Sequence, residues 1–322
     1  MIHTSKPLMI LDGGLGTELE RRGCDVTNSL WSARVLVENP ELVEAVHFDY
    51  LCAGAGCITT ASYQVSRSGF RRFGLTRNDT IRALQSSVAI AKQARDRFLA
   101  ETTAATDANS PIRHRPLVAA SIGPYGATLG DGSEYHGNYH CSYDTLLAFH
   151  RERIEILAAA GPDLLACETI PSMAEAEAML RVVQDLGGEV PAWFSFSCRD
   201  DAHNCHGELL RDCASLFLGE SGVAAIGLNC TPPHLVTALV TALAQELGAQ
   251  ATLPIIAYPN SGQTWDAAHR CWLGANSLPD IGTLAREWRN AGASWIGGCC
   301  GTQPRDIAHL RAALCASPTS PA

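Results

Sequence analysis

The chain has no long apolar run. Its first apolar stretch, Leu8 to Leu11, stops at Asp12, too short for a signal-peptide core, and no uninterrupted stretch approaches the ~20 residues of a membrane span. A basic surface is missing too. The 24 Lys and Arg are outnumbered by 33 Asp and Glu, for a formal charge of −9. Basic residues gather only in short pieces such as Arg71-Arg72, which argues against nucleic-acid binding as the main role. These absences point to a soluble cytoplasmic protein with no membrane or nucleic-acid partner. Thiols stay reduced there, so the 13 cysteines are read as ligands, nucleophiles or packing groups rather than as a disulfide scaffold. With 46% hydrophobic and 18% charged residues over 322 positions, the chain can bury a substantial core, and its length suits one α/β barrel.

Eight apolar runs read as buried strands: Leu8 to Gly13, Cys57 to Tyr63, Leu117 to Ile122, Asp163 to Thr169, Ala192 to Cys198, Ala224 to Cys230, Pro254 to Asn260, and Ser294 to Cys299. Between them lie helical patterns: Pro40 to Ala53, Thr80 to Ala100, Tyr143 to Ala160, Met173 to Leu186, Leu209 to Leu218, Pro233 to Leu247, Ile281 to Ala291 and Pro304 to Leu314. Continuous apolar strands alternating with amphipathic helices imply a parallel sheet covered by helices, and eight repeats imply closure. The alternative, an open doubly wound sheet, is weakened because Asp12-Gly13-Gly14-Leu15-Gly16-Thr17 carries neither the Gly-x-Gly-x-x-Gly fingerprint nor a Walker lysine. The expected fold is therefore a single-domain (β/α)8 TIM barrel over 1–322, with its core at about 8–314. Three long connections, Gly123 to Ser142, Arg199 to Glu208 and Ser261 to Asp280, are expected to roof the site. Glu101 to Arg115 reads as a solvated loop on the opposite face, and the tail Ala316 to Ala322 as frayed.

Barrel active sites form at the C-terminal ends of the strands. That rule gathers Asp12, Thr60, Ser121, Glu168, Ser197, Cys230, Asn260, Cys299 and Cys300 at one mouth. Cys230, Cys299 and Cys300 are three candidate thiolates, and zinc held by three protein ligands keeps a fourth position open. Cα atoms joined by one trans peptide lie about 3.8 Å apart, below the usual disulfide range, so a Cys299–Cys300 bridge is disfavoured. Both side chains reach one ion only if the strand breaks there, and Gly297, Gly298 and Gly301 permit such a turn. Three thiolates leave a Zn²⁺ site at net −1, a poor activator of water but a good seat for an incoming thiol, whose pKa falls from about 8.5. The substrate is therefore read as a thiol. Glu168, a carboxylate in an apolar strand, is a candidate ligand-binding group. Asp12 is another, with a turn or cap role as its alternative.

The motifs Asp12-Gly13-Gly14, Ser29-Leu30-Trp31-Ser32-Ala33, Thr60-Ala61-Ser62-Tyr63-Gln64, Gly123-Pro124-Tyr125-Gly126-Ala127, Asp131-Gly132-Ser133-Glu134-Tyr135, Ala166-Cys167-Glu168-Thr169, Gly227-Leu228-Asn229-Cys230, Tyr258-Pro259-Asn260-Ser261-Gly262 and Gly297-Gly298-Cys299-Cys300 resemble those of the zinc-dependent homocysteine S-methyltransferases. The likeness runs from about Leu8 to Leu314 and favours the branch using S-methylmethionine or S-adenosylmethionine. It implies one zinc per chain on Cys230, Cys299 and Cys300, with the homocysteine sulfur in the fourth position. It implies a substrate pocket of Asp12, Gly13, Thr60, Glu168, Asn229 and Gly298, where acidic groups take the amino group and backbone amides near the glycines take the carboxylate. Asn28 stands where close relatives often carry Asp, which removes a charge from that position.

The implied reaction is attack of a zinc-bound thiolate on the methyl of a sulfonium, with no general base at that step. A sulfonium is drawn to aromatic faces. Trp31, Tyr125 and Tyr135 are the expected donor-site residues, with Tyr139 and Trp265 as further candidates and ordinary packing as each ring's alternative. His136 and His140 read as loop residues, and His203 and His206 flank Cys205 without the partner a second zinc site needs. Competing readings are a betaine-type or selenium-accepting methyltransferase, a zinc hydrolase, and a non-enzymatic zinc- or thiol-binding protein. The sequence leaves the oligomeric state open.

Overall fold

A computed structural model describes residues 6–25, 32–104, 115–248, 252–266, 271–274, 278 and 280–315. Strands β1 (Met9–Ile10), β2 (Cys57–Thr59), β3 (Leu117–Ile122), β4 (Leu164–Ile170), β5 (Ala192–Phe196), β6 (Val223–Asn229) and β7 (Ile255–Tyr258) follow one another with helices between. A small antiparallel hairpin of β8 (Thr264–Asp266) and β9 (Cys271–Leu273) then precedes β10 (Ala293–Ile296). The parallel strands pair in the order β1-β10-β7-β6-β5-β4-β3-β2. A parallel bridge between Leu11 and Cys57 joins the two ends of that order and closes the barrel.

Alternation along each strand divides the apolar side chains into two layers. Leu11, Cys57, Ala119, Leu164, Ala166, Trp193, Ala225, Ile256 and Tyr258 fill the barrel interior. Ile10, Ile58, Val118, Leu165, Cys167, Phe194, Ile226 and Ile296 face outward and pack beneath the helices. Within the barrel Trp193 meets Trp295 and Tyr258 edge to face, at 6.1 and 6.2 Å between ring centroids. Continuing the same alternation upward, Ala119, Ala166 and Trp193 give way to Ser121, Glu168 and Ser195. The interior thus changes from aromatic to polar toward the C-terminal ends of the strands.

The eight expected strands are all present, though several are shorter. The last ends at Ile296 rather than Cys299, and the second ends at Thr59 rather than Tyr63. The helix expected from Thr80 begins at Arg77, because Thr76 and Asp79 bond reciprocally across its first turn, with Thr76 N to Asp79 Oδ2 at 2.7 Å and Asp79 N to Thr76 Oγ1 at 3.2 Å. It also runs to Ala104, into the stretch read as a loop, whose residues 105–114 lie outside the described ones. Helices Leu15–Arg21, Ser32–Glu38 and Arg67–Arg72 were not expected, each being too short for a periodic signal. Among the described residues no helix is long and apolar enough to cross a membrane.

One close approach fixes the β6–β7 pairing. A Cβ at Gly227 would come within 1.8 Å of the Ile256 carbonyl oxygen. Gly227→Ala must therefore push two barrel strands apart, and we expect it to destabilise the fold by about 3 kcal/mol, the upper end for an overpacked core. A thermal or denaturant midpoint equal to that of the wild type would contradict this close packing.

Candidate active site

Three sulfurs meet at the mouth. Cys230 and Cys300 Sγ are 3.8 Å apart, Cys299 and Cys300 Sγ 3.9 Å, and all three lie within 4.8 Å of one another. Their backbones are distorted to allow it. Cys230, just after β6, has φ of 48°, a left-handed conformation costing a non-glycine residue roughly 1–2 kcal/mol. Cys299 and Cys300 lie beyond the end of β10, where the chain turns at Gly301 with φ of 81°, so the expected break in the strand is there.

The segment after β7 fastens the two halves together. Cys299 N donates to Pro259 O (2.7 Å) and Ser261 N to Cys300 O (2.8 Å), while Asn260 Nδ2 donates to Cys230 O (3.3 Å). Asn229 adds a second tie. Its Oδ1 accepts from Thr169 N (2.7 Å), its Nδ2 donates to Thr169 Oγ1 (2.8 Å), and Nδ2 lies 4.0 Å from Cys299 Sγ. Thr169 is itself left-handed, with φ of 58°, so this amide holds a strained residue of β4 beside the thiols.

The donor set fits a tetrahedral soft metal. Zinc–sulfur bonds of about 2.3 Å place two ligand sulfurs about 3.8 Å apart along a tetrahedron edge, which matches the two separations that Cys300 makes. With protons as the only cations the three thiols ionise unequally: Cys230 is held low by its neighbours' S–H groups, while Cys299 and Cys300 are pushed up. Three thiolates at this separation need a cation. Among the described residues this is the one group of metal-ligating side chains so arranged.

Two buried carboxylates lie nearby, Glu168 within the influence of Cys299 and Asp12 within that of Glu168. Glu168 accepts from Ser121 Oγ and from Tyr258 OH (3.0 Å), and Tyr258 is fixed in turn by Trp193 Nε1 (2.9 Å) and Ser195 Oγ (2.6 Å). Burial, assisted by nearby Cys299, raises its carboxyl to about 7. Asp12 accepts from Thr59 N (2.7 Å) and Thr59 Oγ1 (3.0 Å), and burial, with Glu168 adding to it, holds its carboxyl well above the usual range.

The remaining expected residues divide. Thr60 closes a ring: its hydroxyl accepts from Ser121 N (3.0 Å) and meets Ser62 Oγ (2.7 Å), which donates to Ser121 O (2.6 Å). Its hydroxyl is therefore committed to holding Ser121, and through it Glu168. The Gly298 amide donates to Asp12 O (3.0 Å), so it closes the barrel rather than facing a ligand. Gly13, whose Cβ would meet Thr302 and Tyr50 within 2.8 Å, keeps an amide with no acceptor among the described residues.

Of the aromatic candidates, Tyr135 is at the centre, its hydroxyl 3.6 Å from Cys230 Sγ. Tyr125 packs between Tyr139 and Phe149, at 5.4 and 5.1 Å between centroids, and the structure does not bring its ring to the thiols. Trp31 and the Trp265 side chain lie outside the described residues. The imidazoles serve their own loops: His136 Nδ1 accepts from Asn138 N (3.1 Å), His203 Nδ1 meets Asp200 (2.9 Å) and His206 Nδ1 meets Glu208 (3.3 Å).

Sequence reasoning passed over Tyr258 and Glu175. Tyr258 is two residues beyond inward-facing Ile256, and alternation alone marks it as interior. Glu175 stands three residues after Ser172, which caps helix Met173–Asp185, and so reads as a capping-box acid. Its carboxylate instead receives Tyr125 N (2.5 Å), Tyr139 OH (2.9 Å) and His150 Nε2 (2.8 Å), anchoring the roof loop at two points.

A (β/α)8 barrel with a three-cysteine corner that could hold a metal ion, near two buried carboxylates, has the architecture of an enzyme acting on thiols. Comparison with known proteins narrows this. The family model described as homocysteine S-methyltransferase matches residues 9–314. Homocysteine S-methyltransferase YbgG of Bacillus subtilis is 46% identical over 306 residues, covering 95% of this chain and 94% of the relative. The homocysteine S-methyltransferase of Escherichia coli is 45% identical, with the same coverage. The crystal structure of the homocysteine methyltransferase MmuM from Escherichia coli in its metallated form superposes with a TM-score of 0.83 at 43% identity, covering 96% of both chains. The chain belongs to the homocysteine S-methyltransferase family.

Two measurements test the site. Asn229→Ala strands the Thr169 amide and hydroxyl, and should destabilise the protein by about 1–3 kcal/mol, read by chemical denaturation; no change would mean that the amide bridge is dispensable. Glu168 ionises near its ordinary 4.5 when unfolded and only near 7 in the folded pocket. The unfolded chain thus loses this proton first, and the group's contribution to stability, present at low pH, falls as pH rises from 4.5 to 7. In chelated protein without substrate, Glu168→Gln should weaken that decline in melting temperature between pH 5 and pH 7, and an identical decline would exclude Glu168 as a source.

Proposed function

We propose that this protein transfers a methyl group from a sulfonium donor, S-methylmethionine or S-adenosylmethionine, to the sulfur of L-homocysteine, forming methionine, with one zinc ion on Cys230, Cys299 and Cys300. The observation that carries the reading is the three-sulfur corner, which offers a metal three ligands and not four. Zinc bound there would supply a Lewis acid that keeps an incoming thiol ionised near neutral pH. We read the chain as a single domain over 1–322 with its core at about 8–314, working in a reducing cytoplasm that keeps the three thiols available, with small molecules as its partners.

The chain's own residues do the positioning. Asp12 and Glu168 form an acidic pair whose Glu168 member is near Cys299, and the ammonium of an amino acid compensates carboxylates that burial otherwise keeps protonated. Thr60 holds Ser121, which holds Glu168, so its part is support from behind. The Gly13 amide is the donor left for the substrate carboxylate, while Gly298 and Asn229 fix the loops on which the sulfurs sit. In the transfer the donor's S–CH₃ bond breaks as the new S–CH₃ bond forms, and the departing sulfur keeps the bonding pair as a neutral thioether. No proton moves at that step, so no general base is required.

Purified protein should contain about one zinc per chain. Cys299→Ser should lose both the metal and methyl transfer, and full activity in a metal-free preparation would overturn the proposal. Glu168→Gln should lower kcat/KM for homocysteine about 30-fold or more, as expected when one partner of a buried charge pair is removed. Assayed side by side with homocysteine, S-methylmethionine and S-adenosylmethionine should outperform betaine, and a preference for betaine would refute the sulfonium assignment. Zinc and thiol binding without turnover on any donor would favour a binding protein instead.

A further inference from the structure

The mouth of the barrel holds one acidic side chain that the reaction above does not use. Glu134 lies in the short turn Ser133–Tyr135 of the roof loop. Its Oε2 is buried with no hydrogen-bond partner, and the charged neighbour acting on it is Asp131, of the same sign. In this it differs from Asp12 and Glu168, whose oxygens are taken up by Thr59, Ser121 and Tyr258. Its surroundings connect it to the sulfurs through two tyrosines. The Glu134 charge acts on the hydroxyls of Tyr63 and Tyr135, and both of these also feel Cys230. Tyr135 OH is 3.6 Å from Cys230 Sγ.

A carboxylate oxygen removed from water without a partner is costly. Here the loop that carries it is fastened at both ends by Glu175, so Glu134 is held at the mouth rather than free to swing into solvent. The missing partner has the chemistry of a cation supplied from outside. Aromatic rings at the same place, Tyr63 and Tyr135, suit a soft, weakly hydrated cation. Burial raises the Glu134 carboxyl to about 7, and an arriving positive charge would favour its ionised form.

We propose that Glu134 is the donor-selecting residue, its carboxylate receiving the positively charged sulfonium centre so that a methyl group faces the acceptor sulfur beside Cys230. The inference rests on the sulfonium-dependent reaction proposed above and names the residue that recognises its charge. It also predicts where the effect appears. Methyl transfer discharges the sulfonium, so attraction to Glu134 is stronger before the transition state than in it, and its loss should weaken donor binding more than turnover.

Zinc-loaded wild type and Glu134→Gln would be compared with S-methylmethionine as donor, and with trimethylsulfonium, which carries the sulfonium and no amino group, as donor or competitor. The donor KM and the trimethylsulfonium constant should both rise about 10- to 100-fold, with kcat changed less and zinc content and the homocysteine KM unaltered. An unchanged donor KM, or a fall in kcat alone, overturns the inference. So does a loss confined to S-methylmethionine, or wild-type protein blind to trimethylsulfonium, since either would place the amino group at Glu134. Wild-type protein that methylates homocysteine from no sulfonium at all would defeat the proposed reaction, whereas an active wild type with an indifferent Glu134→Gln defeats this inference alone.

Discussion

The convergence of three sulfurs, which repel one another when ionised, is the constraint around which the mouth of this barrel is built. Cys300 Sγ lies 3.8 Å from Cys230 Sγ and 3.9 Å from Cys299 Sγ, a separation at which three thiolates could not all coexist in a buried site without a cation. The fold nevertheless accepts a left-handed Cys230 and a left-handed Thr169 to assemble them. Such strain persists only when surrounding bonds overdetermine it. Here Pro259, Asn260 and Ser261 clip Cys230 to Cys299 and Cys300, and Asn229 clips Thr169 to the same corner.

The polar cap below the sulfurs follows from strand alternation. Trp193 and Tyr258 point into the barrel, as do Ala166 and Glu168, so an aromatic floor carries a carboxylate directly above it. Tyr258 belongs to both layers: its ring packs against Trp193 and its hydroxyl reaches Glu168. The Thr60, Ser62 and Ser121 ring then fixes the second oxygen of Glu168. A carboxylate aimed by two rigid strands stays in place before any ligand arrives.

Much of this was legible in the chain. The eight apolar runs became eight strands because buried parallel strands are apolar on both faces, and the strand-end rule carried Cys230, Cys299 and Cys300 to one place across 70 residues, as their contact shows. What escaped is instructive. Glu175 matches a helix-capping pattern, and local spacing cannot reveal that its carboxylate turns toward a loop some 50 residues earlier. Thr60 and Gly298 lie at the mouth, as strand-end reasoning places them, but which of their polar atoms are already bonded is a tertiary fact. Tyr125 and Tyr135 look alike in sequence, and only packing separates the ring in an aromatic cluster from the one at Cys230.

The double attachment of the roof loop has a consequence for how such an enzyme can diverge. Tyr125 and Tyr139 are both fastened to Glu175, on a helix outside the barrel, so the residues between them form a closed cassette whose ends are fixed independently of its contents. Insertions and exchanges between those anchor points would redraw the ceiling above the sulfurs while transmitting little to the strands beneath. The three-cysteine corner and the two buried carboxylates can then be inherited unchanged while the surface above them is remade in one short stretch of chain.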